Sequence, residues 1–440
     1  MPAHRRPGGD QAAGAVLFGG TVEVGLDLLG RRDGHAAGVG EHQRRDPVAA
    51  RDGRRVAAAE RLAVVGEEVG EHVQIDPNRT HARTVAARVG HRLRRSGLDL
   101  QCAGGPTVGW TREAVVEAMD MRVVWASGFG GPDVLVAGRA EAPVAGPGQV
   151  VVAVEAVSIT FVETQIRRGE SPGPPLPEAP YVPGNAIAGR VMATGGGVAP
   201  AWRGKRVVTE TVDDNGGYAE QAPAAVEDLL SVPDGLGLPE AAALLHDGST
   251  ALGLFDNAGI RAGEWVLVEA AAGGLGSLLV QLARAAGARV IGAARGERKL
   301  DVVRGLGAEV VVDYSEPDWT DRLRDTPPTL VFDGVGGAIG RAAFECLAPG
   351  GRFSIHGAAS GAVTALADGE ARRRGVTVLG LEQLFCLRTG MRDRVQRALA
   401  EAAAGRLTPT IGQTYPLEQA AEAHAAIESR SVIGKTLLLP

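Results

Sequence analysis

Residues 265–287 read Trp265-Val-Leu-Val-Glu269-Ala-Ala-Ala-Gly273-Gly274-Leu275-Gly276-Ser277-Leu-Leu-Val-Gln-Leu-Ala-Arg-Ala-Ala-Gly287, and their reading decides the fold. Trp265 to Glu269 is a short apolar strand pattern, and Ser277 onward has helical composition. Ala271-x-Gly273-x-x-Gly276 between them is a one-residue variant of the dinucleotide-binding fingerprint. The middle glycine lets backbone approach a pyrophosphate, the last lets helix pack on strand, and the free N–H groups at the helix start attract an anion. A glycine-rich turn with no ligand is the competing reading. It loses ground because strand, loop, helix and a second strand follow in order, so Gly273, Gly274, Leu275 and Gly276 are expected to bind a cofactor.

The second strand, Arg289 to Ala293, runs into Ala294-Arg295-Gly-Glu297-Arg298-Lys299. NAD selection asks for an acid about 20 residues past the fingerprint, whereas NADP asks for cations around a 2′-phosphate. Arg295 stands 19 positions after Gly276 with no acid between the strand and it. Its planar fork suits a phosphate, which favours NADPH. Arg298 and Lys299 as a solvated helix face, with Glu297 pairing locally, is the plainer alternative.

Outward from this stretch, Glu309-Val-Val-Val, Thr329-Leu-Val-Phe and Arg352-Phe-Ser-Ile are further short apolar strands separated by helical stretches. That alternation implies a parallel, doubly wound α/β sheet from about residue 246. Upstream, Arg122-Val-Val-Trp-Ala, Gln149 to Val157 and the Gly/Pro-punctuated residues 169–204 imply a β-rich domain with many turns. The last ten residues, Ser431 to Pro440, return to strand texture.

The chain has 440 residues, 22% charged and 45% hydrophobic, with a formal charge of −6. These values fit a soluble globular protein and give no general attraction for nucleic acid or an anionic membrane. No apolar run approaches the ~20 residues of a membrane helix, and the start lacks a signal-peptide core. Three dispersed cysteines offer neither a disulfide framework nor a paired metal knuckle. A cytoplasmic protein is expected.

Composition breaks near residue 120. Residues 1–120 hold 17 Arg, 16 acids, six of the nine His and no Lys, a net +1, which leaves −7 for the remainder. They show no sustained period of either kind. This N-terminal extension is expected to be a weakly ordered tail or a stretch attached by a start assigned too early, with a small helical domain as third reading. Met119 and Met121 stand just before the first clean strand pattern.

Three further segments carry a resemblance. Tyr181-Val-Pro-Gly-Asn-Ala-Ile-Ala-Gly-Arg-Val, Gly217-Tyr-Ala-Glu and Asp313-Tyr314, taken with the glycine loop, resemble the zinc-independent quinone oxidoreductase branch of the medium-chain dehydrogenase/reductase family. The likeness spans about 320 residues, Met121 to Pro440. It implies a GroES-like catalytic domain over 121–245, rejoined by 380–440, and a Rossmann domain over 246–379. It places Arg295 and Lys299 at the 2′-phosphate, Tyr314 and the Ile355-His356-Gly357 loop on the cofactor, and Thr250 near the nicotinamide. A homodimer or tetramer acting on a small molecule is implied as well. The segment Thr160-Phe161-Val-Glu163-Thr-Gln165-Ile-Arg167 resembles the family's N-P-x-D-x-Y-x-R, with Thr160, Phe161, Glu163 and Gln165 replacing its Asn, Pro, Asp and Tyr. Thr160 and Phe161 are expected to face the substrate, and the replacements put quinone specificity in question.

Zinc relatives carry an early Cys, a Gly-His-Glu and a four-Cys lobe, whereas Gly184 here precedes Asn185-Ala186 and no Cys lies between 103 and 345. No metal set assembles, since a catalytic zinc needs three protein ligands and a structural one four. His246, His356 and His424 are expected to be satisfied cleft or surface residues, Cys346 and Cys386 small core residues. The Asp333-Gly-Val-Gly-Gly stretch reads as a turn lining the dinucleotide site. Without a metal Lewis acid, an acceptor already conjugated to a carbonyl is the easier target. The expected activity is hydride transfer from NADPH to a quinone or enone, with no catalytic residue assigned. An enoyl thioester reductase and a non-catalytic NADPH-binding redox sensor are the alternatives.

Overall fold

The computed structural model describes Asp120–Pro440 apart from Pro172 and Pro174, together with a parallel pair of two-residue strands, Gln74–Ile75 and Gln101–Cys102. The expectations for residues 1–119 otherwise lie outside the described residues.

A β-rich half comes first. Strands β1 (Asp120–Ala126) and β2 (Leu135–Glu141) form an antiparallel pair. The long β3 (Gln149–Ile159) is the hub of a seven-stranded sheet with β4 (Ala186–Thr194), β5 (Arg206–Glu210), β6 (Gln221–Ala225) and β7 (Leu230–Ser231). Its β-branched residues Val150, Val152, Val154 and Val157 bury against Ile187, Val191, Val207 and Tyr218, as a half-buried pleated surface favours. Helix α1 (Phe161–Arg167) leaves the end of β3, and α2 (Leu238–Ala258) leads out of the sheet. One core cluster takes in Leu244, Leu252 and Ala258 of α2, Ala186 and Val208 of the first sheet, and Val266, Val268 and Leu278 beyond it. α2 therefore packs on both sheets.

The second sheet is built from β8 (Trp265–Val268), β9 (Arg289–Ala294), β10 (Val310–Asp313), β11 (Leu330–Asp333), β12 (Arg352–Ile355) and β13 (Thr377–Leu379), all parallel. Numbered by themselves, its strands lie in the order 3-2-1-4-5-6. The central strands send alternate residues to opposite cores. Val266, Val268 and Phe332 face one with α3 (Gly274–Ala285) and α4 (Glu297–Gly305), while Leu267, Ile291 and Val331 face the other with α5 (Gly337–Cys346). The sheet is wound on both faces. Ligands bind such sheets where the strand order reverses, here between the carboxyl ends of β8 and β11.

After the short α6 (Glu370–Arg373) and α7 (Gln383–Cys386), then α8 (Met391–Ala403), the chain returns to the first sheet. Strand β14 (Ile411–Pro416) pairs with β15 (Lys435–Leu439), which lies antiparallel to β3, and α9 (Ala420–Glu428) joins them. Cys346 is half-buried but Cys386 is exposed. The core placement expected for Cys386 from its apolar neighbours does not hold, because α7 also turns Phe385 outward. Among the described residues no helix is long and apolar enough to cross a membrane.

Candidate nucleotide site and interdomain cleft

The glycine loop is held tightly. Ala270 adopts φ +46° and its carbonyl accepts the Gly273 N–H at 2.8 Å. Gly273 caps α3 in an extended conformation. A side chain on Gly276 would place Cβ 2.3 Å from the Ala270 oxygen, and one on Gly274 would lie 2.2 Å from Asp247 Oδ2. The Gly276 contact is with backbone and needs glycine, whereas at Gly274 the Asp247 side chain would have to turn away. Leu275 packs half-buried on the core. Ser277 is the residue whose N–H is taken by the Gly273 carbonyl, so the N–H groups of Gly274, Leu275 and Gly276 in the first turn have no helical acceptor. The Gly434 N–H also reaches the Ala272 carbonyl at 2.7 Å, tying the loop to the residue before β15.

Cations gather beside it. Arg295 is exposed at the end of β9, and Lys299 on α4 donates to the Arg430 carbonyl at 2.6 Å. Burial, and then the neighbouring Arg295, Arg430 and Arg298, push the Lys299 amine below its ordinary value. Arg430, in the left-handed region at φ +58°, lies 4.2 Å above the Phe161 ring and donates to the Ala359 carbonyl. It too is pushed down, first by burial. Tyr314 lies within electrostatic reach of Arg295 and Arg430. The nearby Asp313 carboxylate is taken by the N–H groups of Gly296 at 2.8 Å and Ser315 at 2.9 Å. Arg295, Lys299 and Tyr314 are thus brought together, and the structure adds Arg430, which nothing local in the sequence marks.

The opposite wall is the loop after β12. A Cβ on Gly357 would stand 2.5 Å from the Gly334 carbonyl, so the loops after β11 and β12 touch. His356 leans on Phe332, and burial lowers its pKa to about 4 despite Asp333 nearby. A cavity of about 350 Å³ opens here, lined by Phe161, Gln165, Arg168, Ser360 and Arg430 among others.

Ionisable groups line the floor between the sheets. Thr160 accepts the Glu163 N–H at 3.3 Å while Glu163 takes the Thr160 N–H, a capping box at the start of α1. Glu163 Oε1 is buried without a partner, and burial raises its pKa. His246 pairs with Glu210 at 2.9 Å and Lys435 with Asp247 at 3.1 Å. Thr250 is half-buried on α2, one turn beyond Asp247. The Thr160 hydroxyl is therefore spent on the helix start, whereas Phe161 lines the cavity. Buried His424 meets Tyr218 Oη at 2.8 Å. Among the described residues no three His, Cys, Asp or Glu converge to hold a metal.

Two family models match the chain: an alcohol dehydrogenase GroES-like domain over residues 146–248 and a zinc-binding dehydrogenase over 306–438. A GroES-like domain joined to a Rossmann sheet is the architecture of the medium-chain dehydrogenase/reductases, and the chain belongs to that family. Within it the chain is similar to a 2-haloacrylate reductase of Burkholderia sp, 32% identical over 71% of this chain and 96% of the relative. It is also 32% identical to a Pseudomonas aeruginosa quinone oxidoreductase, over 73% of this chain and all of the relative. The solved Escherichia coli quinone oxidoreductase complexed with NADPH superposes with a TM-score of 0.65 at 30% identity, covering 72% of this chain and 100% of that one.

Proposed function

We propose that the chain is an NADPH-dependent oxidoreductase that reduces a double bond conjugated to a carbonyl, as in a quinone or enone, without a metal. The observation that carries the cofactor reading is the cluster of Arg295, Lys299 and Arg430 around Tyr314. These cations repel one another and form no ion pair among the described residues, so a dianionic 2′-phosphate would relieve them. The site fits the rest of the group too. Gly276 leaves no room for a side chain at the start of α3, where a pyrophosphate would meet the first-turn N–H groups, and Thr250, His356 and Gly357 would flank the route toward the cleft. When bound, the reduced nicotinamide would supply the hydride. Phe161 and the cavity walls would orient the acceptor and exclude water.

The reading takes residues 121–245 with 380–440 as the catalytic domain and 246–379 as the cofactor domain, in a cytoplasmic homodimer. Relatives named for quinones and for 2-haloacrylate share a conjugated acceptor, which supports the class while leaving the acceptor open. Single-turnover reduction of quinones, enones and 2-enoyl thioesters is the test. Oxidation of NADPH by quinones or enones is expected; turnover with thioesters alone would assign an enoyl reductase, and tight NADPH binding with no turnover a sensor. Light scattering checks the dimer.

A further inference from the structure

The carboxyl end of β8 and that of β11 each carry a buried acid. Val268 pairs with Phe332, and the Glu269 N–H reaches the Phe332 carbonyl at 3.1 Å, so Glu269 and Asp333 leave adjacent strands side by side. Both side chains are fully buried, and this is the switch point of the sheet. The Val335 N–H is 3.2 Å from Glu269 Oε2 and 3.2 Å from Asp333 Oδ1, so the two carboxyl groups face each other across one donor. Asp333 is otherwise well served: Oδ1 accepts the Gly336 N–H at 2.7 Å and Oδ2 the Thr364 hydroxyl at 2.5 Å. Glu269 has nothing more, and its Oε1 is buried without a partner.

Two buried carboxylates sharing one N–H would be strongly disfavoured. The other titratable groups that reach the pair are Tyr314, coupled to Glu269, and His356, coupled to Asp333 and itself held neutral. Neither supplies a positive charge. One proton on Glu269, shared with the Asp333 carboxylate that faces it across the Val335 N–H, removes the repulsion. The Asp333 oxygens already accept three hydrogen bonds, whereas Glu269 accepts one, so the proton is placed on Glu269.

We propose that Glu269 is a positioning residue of the cofactor crevice: it remains protonated in the folded protein and, by donating to Asp333, clasps the glycine loop to the turn at residues 334–337. Burial and then Asp333 raise the Glu269 carboxyl well above the ordinary range, in agreement. The clasp joins the two strand ends that frame the crevice, and it leaves one negative charge there instead of two where an anionic pyrophosphate would arrive.

The inference deepens the NADPH reading and rests on it for its binding arm. Infrared spectroscopy on the full chain near neutral pH is expected to show a buried carboxylic acid carbonyl band that Glu269→Gln removes. Glu269→Gln, whose amide also donates to Asp333, is expected to keep NADPH affinity within about threefold, while Glu269→Ala loses about tenfold. Glu163 is a second buried carboxyl raised by burial, so the readout is the difference between parent and variant. A carboxylic acid region unchanged in Glu269→Gln, or a loss of NADPH affinity in Glu269→Gln as large as in Glu269→Ala, would overturn the proposal. If no form of the protein binds NADPH, the cofactor reading fails, while the infrared comparison still decides where the proton resides. The glutamine variant also keeps the shape of the site should the alanine variant not fold.

Discussion

Arg295 and Arg430 stand 135 positions apart and meet at one corner of the Rossmann sheet. Their roles differ in a way that mutation separates. Arg295 is exposed and, among the described residues, donates to no protein acceptor that would be lost with it, so Arg295→Ala should leave the fold intact. It should weaken NADPH by about tenfold to a hundredfold, the worth of one or two charge-assisted hydrogen bonds, and change NADH little. Arg430 also carries the stack on Phe161 and the bond to Ala359. Arg430→Ala should therefore weaken NADPH and loosen the cavity wall as well, raising KM for the acceptor. Fluorescence titration with both cofactors and steady-state kinetics read the two outcomes. Equal losses for NADH and NADPH in Arg295→Ala would refute the phosphate role.

At the scale of elements, α1 shows what substitution has done to a segment of known pattern. Thr160 and Glu163 close a capping box on each other, so their chemistry is spent on starting a seven-residue helix that presents Phe161 to the cavity. Thr160→Ala should cost about 1 kcal/mol of stability, the usual value of a lost N-cap, and lower kcat/KM through a frayed α1; thermal melts and kinetics check it. Elements of this kind were legible in the sequence because buried parallel strands are short unbroken apolar runs and glycine loops have fixed offsets. Trp265, Arg289 and Arg352 open strands in the structure as their patterns imply. The pairs Glu269–Asp333, Lys435–Asp247 and His246–Glu210 were not legible, since each joins residues 36 to 188 positions apart that only the finished sheets bring together. Cys386 misled for the opposite reason: apolar neighbours on a short exposed turn look like core until the fold shows which way they face.

For the whole molecule, the matched relatives cover 71–73% of the chain, and both sheets lie within residues 120–440. A chain beginning at Met121 should bind NADPH as the full chain does, by calorimetric titration; a tenfold loss would give residues 1–120 a part in the site. Stability against pH tests both sheets together, because opposing groups are buried in each. His424 lies against Tyr218 in the first half and His356 against Phe332 in the second, with pKa values lowered by burial to about 3 and about 4. Unfolded imidazoles take up protons below about 6.5, so each His contributes stability above that pH that is lost as pH falls toward its folded value, by up to about 1.4 kcal/mol per pH unit. Glu269 and Glu163 act with the other sign. Their carboxyls are raised by burial, so the folded state holds protons that the unfolded state releases above about 4.5, and stability falls as pH rises. The terms oppose one another in the parent chain, and single variants expose them. Between about pH 6.5 and 4.5, where both groups differ from the unfolded chain, His424→Asn should make unfolding free energy fall more steeply with rising pH. Glu269→Gln should shift the slope the other way, making unfolding free energy rise with pH relative to the parent. Chemical denaturation across that range measures both slopes, and parallel curves for Glu269→Gln and the parent would mean that the Glu269 carboxyl is ionised in the folded protein.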